Sequence, residues 1–155
     1  MARIIAGVDD VQIQPAGVDL RVAEVYRFLG AGFLGDSDRV LPRYVRVEAR
    51  DGVWSLGPGA YRIVFREVVS VPKDCVGFCY PRSSLLRMGA TVLCAVWDPG
   101  YYGRGSALLV VFNEHGLRLA VGARVAQLVY ARVYPSPDRT YRGTYLGEGV
   151  GESEV

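Results

Sequence analysis

The strongest constraint on this chain is the shortness of its apolar runs. Val-, Ile- and Tyr-rich stretches are each cut by glycine or by an Asp-, Asn- or Pro-centred turn, and no segment sustains the period of an amphipathic helix. With 19 Gly and 10 Tyr, this punctuation favours an all-β architecture of many short strands and tight turns. At 155 residues, 50% of them hydrophobic, the chain has the length of one domain with a sizeable core and no room for two.

A net charge of +2 argues against a general nucleic-acid surface and leaves open a local basic pocket for a small polyanion. Every basic residue except Lys73 is Arg, which suits bidentate phosphate contact and equally follows from genomic base composition. No apolar run reaches the roughly 18 residues of a membrane span. The start, Met1 to Gly7, is too short for a secretory apolar region. A cytoplasmic protein with no membrane partner is therefore expected. Cys75, Cys79 and Cys94 are odd in number and sit in strand-like contexts, which reads as buried thiols rather than a disulfide framework.

Ala95-Val96-Trp97-Asp98-Pro99-Gly100-Tyr101-Tyr102-Gly103 reads as the tip of a hairpin between Thr91–Trp97 and Ala107–Phe112. Asp98 there is either a general base or metal ligand aimed into a cleft, or the opener of an Asp-Pro-Gly turn bonding its own backbone. Asp19, at the start of a strand, has the same bland alternative, a carboxylate satisfied by backbone donors. Ser83 reads as the cap of one helical turn, with Arg87 near its end and Gly89 closing it. Arg82, Ser83 and Ser84 are then either an anion site or an ordinary capped turn. Ala107–Phe112 is continuously apolar and suits a strand buried on both faces. In the strand Gly122–Arg132, Gln127 shares a side with Val125 and Val129, a polar amide at a core position that needs a partner. His115 reads as a solvated loop residue. Asp51-Gly52 is a hairpin turn signal. After Pro137 the composition shifts to spaced glycines with Arg142, Tyr141 and Tyr145, a tail with no apolar period that is expected to be mobile.

In this order, Ala16-Gly17-Val18-Asp19-Leu20-Arg21, Pro81-Arg82-Ser83-Ser84-Leu85, Ala95 to Gly103, Gly122 to Val129 and the Gly-rich tail together resemble the dUTPase and dCTP deaminase superfamily. The nearest likeness is to the archaeal-type dUTPases of the deaminase-like branch. The resemblance implies a distorted jelly-roll-like β-barrel with one short helical turn, assembled as a homotrimer. It divides the chain into a barrel domain, 1–140, and a flexible C-terminal lid, 141–155. The implied reaction is Mg²⁺-dependent hydrolysis of dUTP to dUMP and diphosphate. Asp98 would activate the attacking water, and the backbone around Cys94, Ala95 and Val96 would read the pyrimidine edge. Tyr101 would pack under the deoxyribose. Arg82, Ser83, Ser84, Arg87 and Gln127 would hold phosphates, Arg142 and Tyr145 would close from the lid, and Asp19 would support the metal through water.

Two departures accompany the resemblance. The segment from Asp98 to Asn113 is about two residues longer than the family pattern, with a bulge expected at Arg104-Gly105-Ser106. The tail has Gly147 near the position of the base-stacking Phe of ordinary trimeric dUTPases. A dCTP deaminase, alone or bifunctional, is the competing enzyme, and a non-catalytic nucleotide-binding module is the competing class. Against deamination, the Glu that family deaminases carry on the strand after the hairpin falls on Val110 or Val111.

Overall fold

The computed structural model of the chain describes residues 5–151; the first residues of the start discussed above, and residues 152–155 of the tail, lie outside that range. The strands are β1 (Ile5–Ala6), β2 (Ile13–Gln14), β3 (Gly17–Leu29), β4 (Phe33–Leu34), β5 (Arg39–Val40), β6 (Arg43–Arg46), β7 (Val53–Leu56), β8 (Gly59–Phe65), β9 (Val68–Ser70), β10 (Cys75–Pro81), β11 (Ala90–Leu93), β12 (Tyr102–Gly103), β13 (Ser106–Val111), β14 (Leu117–Ala120) and β15 (Arg124–Arg132). One helical turn, α1 (Ser83–Arg87), and a 3-10 turn at Asp10–Gln12 complete the list.

The main sheet runs β10-β15-β3-β8-β13-β11 with antiparallel neighbours. Its two outer strands come back together. Just past β11, Trp97 exchanges two backbone hydrogen bonds with Gly77 of β10, at 2.9 and 3.0 Å, and this bridge nearly closes the sheet into a barrel. Closure removes the exposed ladder of an edge strand where the two ends meet. It also brings Trp97 inside, where a Cβ on Gly77 would lie 3.0 Å from the Trp97 Cβ and one on Gly105 would lie 2.3 Å from its ring. The all-β, barrel-like expectation with one short helical turn holds.

Several local expectations change. β13 alternates: Ala107, Leu109 and Val111 are buried while Leu108 and Val110 are only half-buried, so one face meets the core and the strand is not buried on both. On β15 the register with β3 shifts between Arg124 and Ala126, which puts Ala126 and Leu128 in the core. Gln127 therefore points to the outer face with Val129 and occupies no core position. Ser83 is the first residue of α1, whose cap is Arg82 with no capping side-chain bond; Gly89, with φ +75°, does follow the helix end. The Asp51-Gly52 turn forms as expected, both residues having positive φ (50° and 72°), as a type I′ hairpin turn requires.

Gly17 opens β3 where a Cβ would lie 2.1 Å from the carbonyl oxygen of Leu128, a backbone atom that cannot swing away. Gly17→Ala is expected to destabilise the protein by about 3 kcal/mol, the upper range of an overpacked core. Gly57→Ala, with nothing within 4 Å of its Cβ, should stay within about 0.5 kcal/mol of the parent. Urea unfolding midpoints of the two variants check the contrast.

Candidate functional site

β11 and β13 pair up to Leu93 and Leu108, so the chain between them is a wide loop rather than a tight hairpin tip. It is pinned at three points. Trp97 holds Gly77 as described. Asp98, Pro99, Gly100 and Tyr101 form a turn closed by Tyr101 N–H donating to Asp98 O at 3.0 Å, with Gly100 at φ +84°, the type II pattern for Pro-Gly. Gly100 N–H donates to Val71 O (3.0 Å) and Val71 N–H to Tyr101 O (2.8 Å), and β12 then pairs with β9. The turn uses the carbonyl of Asp98 and leaves its carboxylate exposed, so the turn role and the cleft role coexist in one residue. The extra length before β13 does not make a bulge in the β13 ladder. Between β12 and β13 the chain stays in register with β8, Gly105 O accepting from Phe65 N–H at 3.0 Å.

The Asp98 carboxylate opens on a cleft of about 330 Å³. Ala95, Val96, Tyr101 and Ser106 line it from the barrel, and Tyr141, Tyr145 and Glu148 from the tail. Ala95, Ser106, Tyr145 and Glu148 also border a second cleft of about 380 Å³ over the outer face of β3, β8 and β13. There the Arg62 guanidinium lies 5.5 Å from the centre of Tyr26 and 5.2 Å from that of Tyr44, and it pairs with Glu148 at 2.9 Å. Arg104 anchors the same edge: its guanidinium reaches Glu24 (3.1 Å) and Phe65 O (3.1 Å), and its backbone N–H donates to Glu148 O (2.8 Å). The Tyr26 hydroxyl completes this group by donating to Glu24.

Residues 141–151, expected as a mobile lid, are docked on the barrel. Tyr141 N–H donates to Pro99 O at 2.7 Å and Gly147 N–H to Tyr102 O at 2.7 Å, while Arg39 donates to Thr144 at 2.6 Å. The Tyr141 ring meets Tyr101 edge-on at 5.6 Å, Tyr101 meets Trp97 at 5.3 Å, and Trp97 tilts against Phe65 at 6.1 Å. An aromatic series thus joins the core to the tail through the cleft. Tyr145 is exposed at its rim, and Arg142 is exposed outside the lining.

The expected phosphate ligands gather elsewhere. Arg82 holds Asp19 Oδ2 at 2.6 Å, Arg124 reaches the same oxygen at 3.2 Å, and Gln127 stands opposite Asp19 in the ladder. Ser83, Ser84 and Arg87 are exposed on α1 next to this group. None of them lines the Asp98 cleft. Asp19 is satisfied by two guanidiniums rather than by backbone donors. Burial raises its pKa above the usual aspartate value, and Arg82 and Arg124 only partly offset that. Among the described residues no group of three or more His, Cys, Asp or Glu could hold a metal ion. Cys94, half-buried just past the end of β11, has its thiol against that of Cys79, while Ala95 and Val96 are exposed. The three cysteines are free thiols, as expected, but each is half-buried rather than buried; His115 is exposed in its loop, as expected. No described helix is long and apolar enough to cross a membrane.

Comparison with known proteins fits this architecture. Residues 1–133 match the family model for dCTP deaminase-like proteins. The chain belongs to that family. A protein of Aeropyrum pernix named "Probable deoxyuridine 5'-triphosphate nucleotidohydrolase" is 55% identical over 147 residues, 95% of this chain and 92% of that one. A protein of the same name from Archaeoglobus fulgidus is 44% identical over 143 residues, covering 91% and 84%. The Methanocaldococcus jannaschii deoxyuridine 5'-triphosphate nucleotidohydrolase is 38% identical over 143 residues, covering 90% and 87%. By name these relatives are hydrolases. Among solved structures, the 2'-deoxycytidine 5'-triphosphate deaminase of Agrobacterium tumefaciens superposes with a TM-score of 0.63 at 22% identity, over 85% of this chain. The match spans 44% of that longer deaminase and bears on the fold alone.

Sequence reasoning missed Arg62, Arg104, Arg124 and Glu148, because each becomes a site residue only through a partner distant in the chain. The one signal available was Glu148, the single charged residue between Arg142 and Glu152.

Burial, then the charges of Glu148 and Tyr141, push the Tyr101 phenol up to about 12. Ionisation would put a second negative charge beside Glu148, so the neutral phenol is the favoured form. In ultraviolet titration at the phenolate band, the difference between the parent and Tyr101→Phe is expected to appear only near pH 12; a difference near pH 10 would contradict the burial.

Proposed function

We propose that this protein is a dUTP diphosphatase, converting dUTP and water to dUMP and diphosphate. The observation that carries the reading is Asp98: an exposed carboxylate on a turn held by its own carbonyl, at the mouth of a cleft floored by a buried tyrosine. Relatives at up to 55% identity over nearly the whole chain, named for that reaction, support it.

In this reading the deoxyribose rests on Tyr101 and the pyrimidine edge meets the exposed backbone at Ala95 and Val96. Asp98 accepts a proton from a water as that water's oxygen bonds to the α-phosphorus, and the bond from that phosphorus to the β-phosphate's bridging oxygen breaks. Diphosphate leaves with the electron pair. Arg82, Ser83, Ser84, Arg87 and Gln127 neutralise and orient the phosphates. The tail residues Arg142 and Tyr145 close the site. Asp19 as placed does not fit a cation, since its buried carboxylate is shared, through Oδ2, by Arg82 and Arg124. No step is therefore assigned to a metal held by this chain. Magnesium belongs to the proposal as the ion that enters on the triphosphate, whose oxygens and waters supply its ligands.

The separation of the two groups of residues supports a homotrimer with shared sites. In one chain the proposed phosphate set does not line the proposed nucleoside cleft. Phe78 and Tyr80 lie exposed on the outer face of β10, opposite Val129 and Gln127, an apolar surface suited to a neighbouring copy. dCTP deamination has one observation in its favour. Glu148 brings to the second cleft a carboxylate that β13 lacks, although it is tied to Arg62. Incubation with dUTP and with dCTP, and identification of dUMP, dCMP and ammonia, separates the two activities.

Asp98→Asn keeps the size of the side chain and removes the proton acceptor. It is expected to lower kcat by about 10²–10⁴ with little change in KM, and near-parental turnover would sink the assignment. Arg82→Ala should be inactive through lost phosphate binding. Co-refolding the two inactive variants should restore dUTP hydrolysis, because mixed trimers contain sites with both an intact Asp98 and an intact Arg82. If mixed oligomers form and no activity returns, the shared-site arrangement is wrong.

A further inference from the structure

Two of the side chains buried most completely, Gln12 (0% exposed) and Glu67 (1%), take no part in the reaction proposed above. Their position is particular. One edge of β3 is covered by β2 as far as Val18 and by β8 from Val22 onward, while its other edge is paired with β15 from Val18 to Arg21, with the register shift between Arg124 and Ala126. Asp19 to Arg21 therefore face a gap between two strands, where backbone groups would lie buried without a ladder.

Gln12 and Glu67 fill that gap. Gln12 Nε2 donates to Asp19 O (2.7 Å) and to Glu67 Oε1 (2.7 Å), and Glu67 Oε2 accepts from Arg21 N–H (3.0 Å). Arg66 N–H donates to Arg21 O (2.8 Å) from the same side. The amide of Gln12 is itself fixed by the 3-10 turn, its Oε1 accepting from Asp9 N–H at 3.0 Å. The residue whose backbone is gripped in this way, Asp19, is the one whose carboxylate holds Arg82 and Arg124. An extra turn of β-ladder would have held the strand equally well. A buried carboxylate is an expensive substitute on desolvation grounds, and with Gln12 it supplies something a ladder does not: contacts from outside the sheet that fix the two peptide planes on either side of Leu20, one through Asp19 O and one through Arg21 N–H.

We propose that Gln12 and Glu67 are positioning residues, a polar strut that fixes the backbone at Asp19 and through its carboxylate sets Arg82 and Arg124 to receive a triphosphate. The inference rests on the reading of Arg82 as a phosphate ligand. It assigns to residues far from Asp98 a role in phosphate binding and none in the proton transfer.

The test titrates inorganic triphosphate and, separately, deoxyuridine into the intact protein and into Gln12→Met, Glu67→Gln and Arg82→Ala variants, with circular dichroism confirming the fold at the titration temperature. Gln12→Met keeps the length and removes the donors; Glu67→Gln keeps the shape and sets donor against donor at Gln12 or Arg21. Both are expected to weaken triphosphate binding about tenfold, the loss of a charge-linked hydrogen bond. Deoxyuridine affinity should stay within about twofold, and in turnover KM should rise while kcat changes little. A merely structural role would weaken both ligands alike or neither. Unchanged triphosphate affinity in a folded variant, equal weakening of both ligands, or failure of both variants to fold would each overturn the proposal. Arg82→Ala reports on the reading beneath it. If that variant binds triphosphate normally, the phosphate site is misassigned; if it binds weakly while Gln12→Met binds normally, only the strut fails.

Discussion

The fold depends on the enclosure of one indole. Trp97 closes the barrel with its backbone, through Gly77, and fills the closure with its ring, against Phe65 on one side and Tyr101 on the other. Gly77 and Gly105 are needed because any side chain there would meet Trp97. The residue after this indole is Asp98. The candidate base thus sits one peptide bond from the most constrained point of the loop, so a carboxylate on a long connection is held with the precision of a strand residue. The aromatic series continues to Tyr141, which carries the same rigidity into the start of the tail.

Two electrostatic regions divide the surface. Around Asp19, three arginines, Arg21, Arg82 and Arg124, are oriented by two carboxylates, Asp9 and Asp19, at 2.6 to 3.2 Å. Pairing of this kind leaves the remaining guanidinium donors pre-aimed, which suits a ligand of high negative charge. Around the cleft, Arg62 and Arg104 are instead spent on Glu148 and Glu24, and that side is polar without being strongly basic. In the proposed reading a nucleoside takes the second environment and a triphosphate the first. That contrast is the physical reason why the proposed reading looks to a neighbouring copy to join them.

Much of the site was legible because turns are local. Asp98-Pro99-Gly100 and Asp51-Gly52 declare themselves through residues that tolerate or demand particular dihedrals, and both turns formed where expected. The orientation of Gln127 was not legible. A register shift between Arg124 and Ala126 reverses which side of β15 faces inward, and no pattern within the strand announces a shift imposed by its partner β3. The continuous apolar run of β13 was similarly ambiguous, since only the neighbouring β8 and β11 decide which of its faces meets the core.

The sequence by itself determined the class of the fold, the family, the turn that carries Asp98 and the cluster of Arg82, Ser83 and Ser84, because each rests on spacing along a few consecutive residues. Tertiary structure alone decided that Asp19 is locked between two arginines, that Glu148 crosses to Arg62, and that Gln12 and Glu67 meet inside the barrel. Those partners are separated by between 55 and 105 positions in the chain. Pairings of that range are set by how strands are ordered and where they end, and the closure of the sheet, rather than any local preference, brings them together.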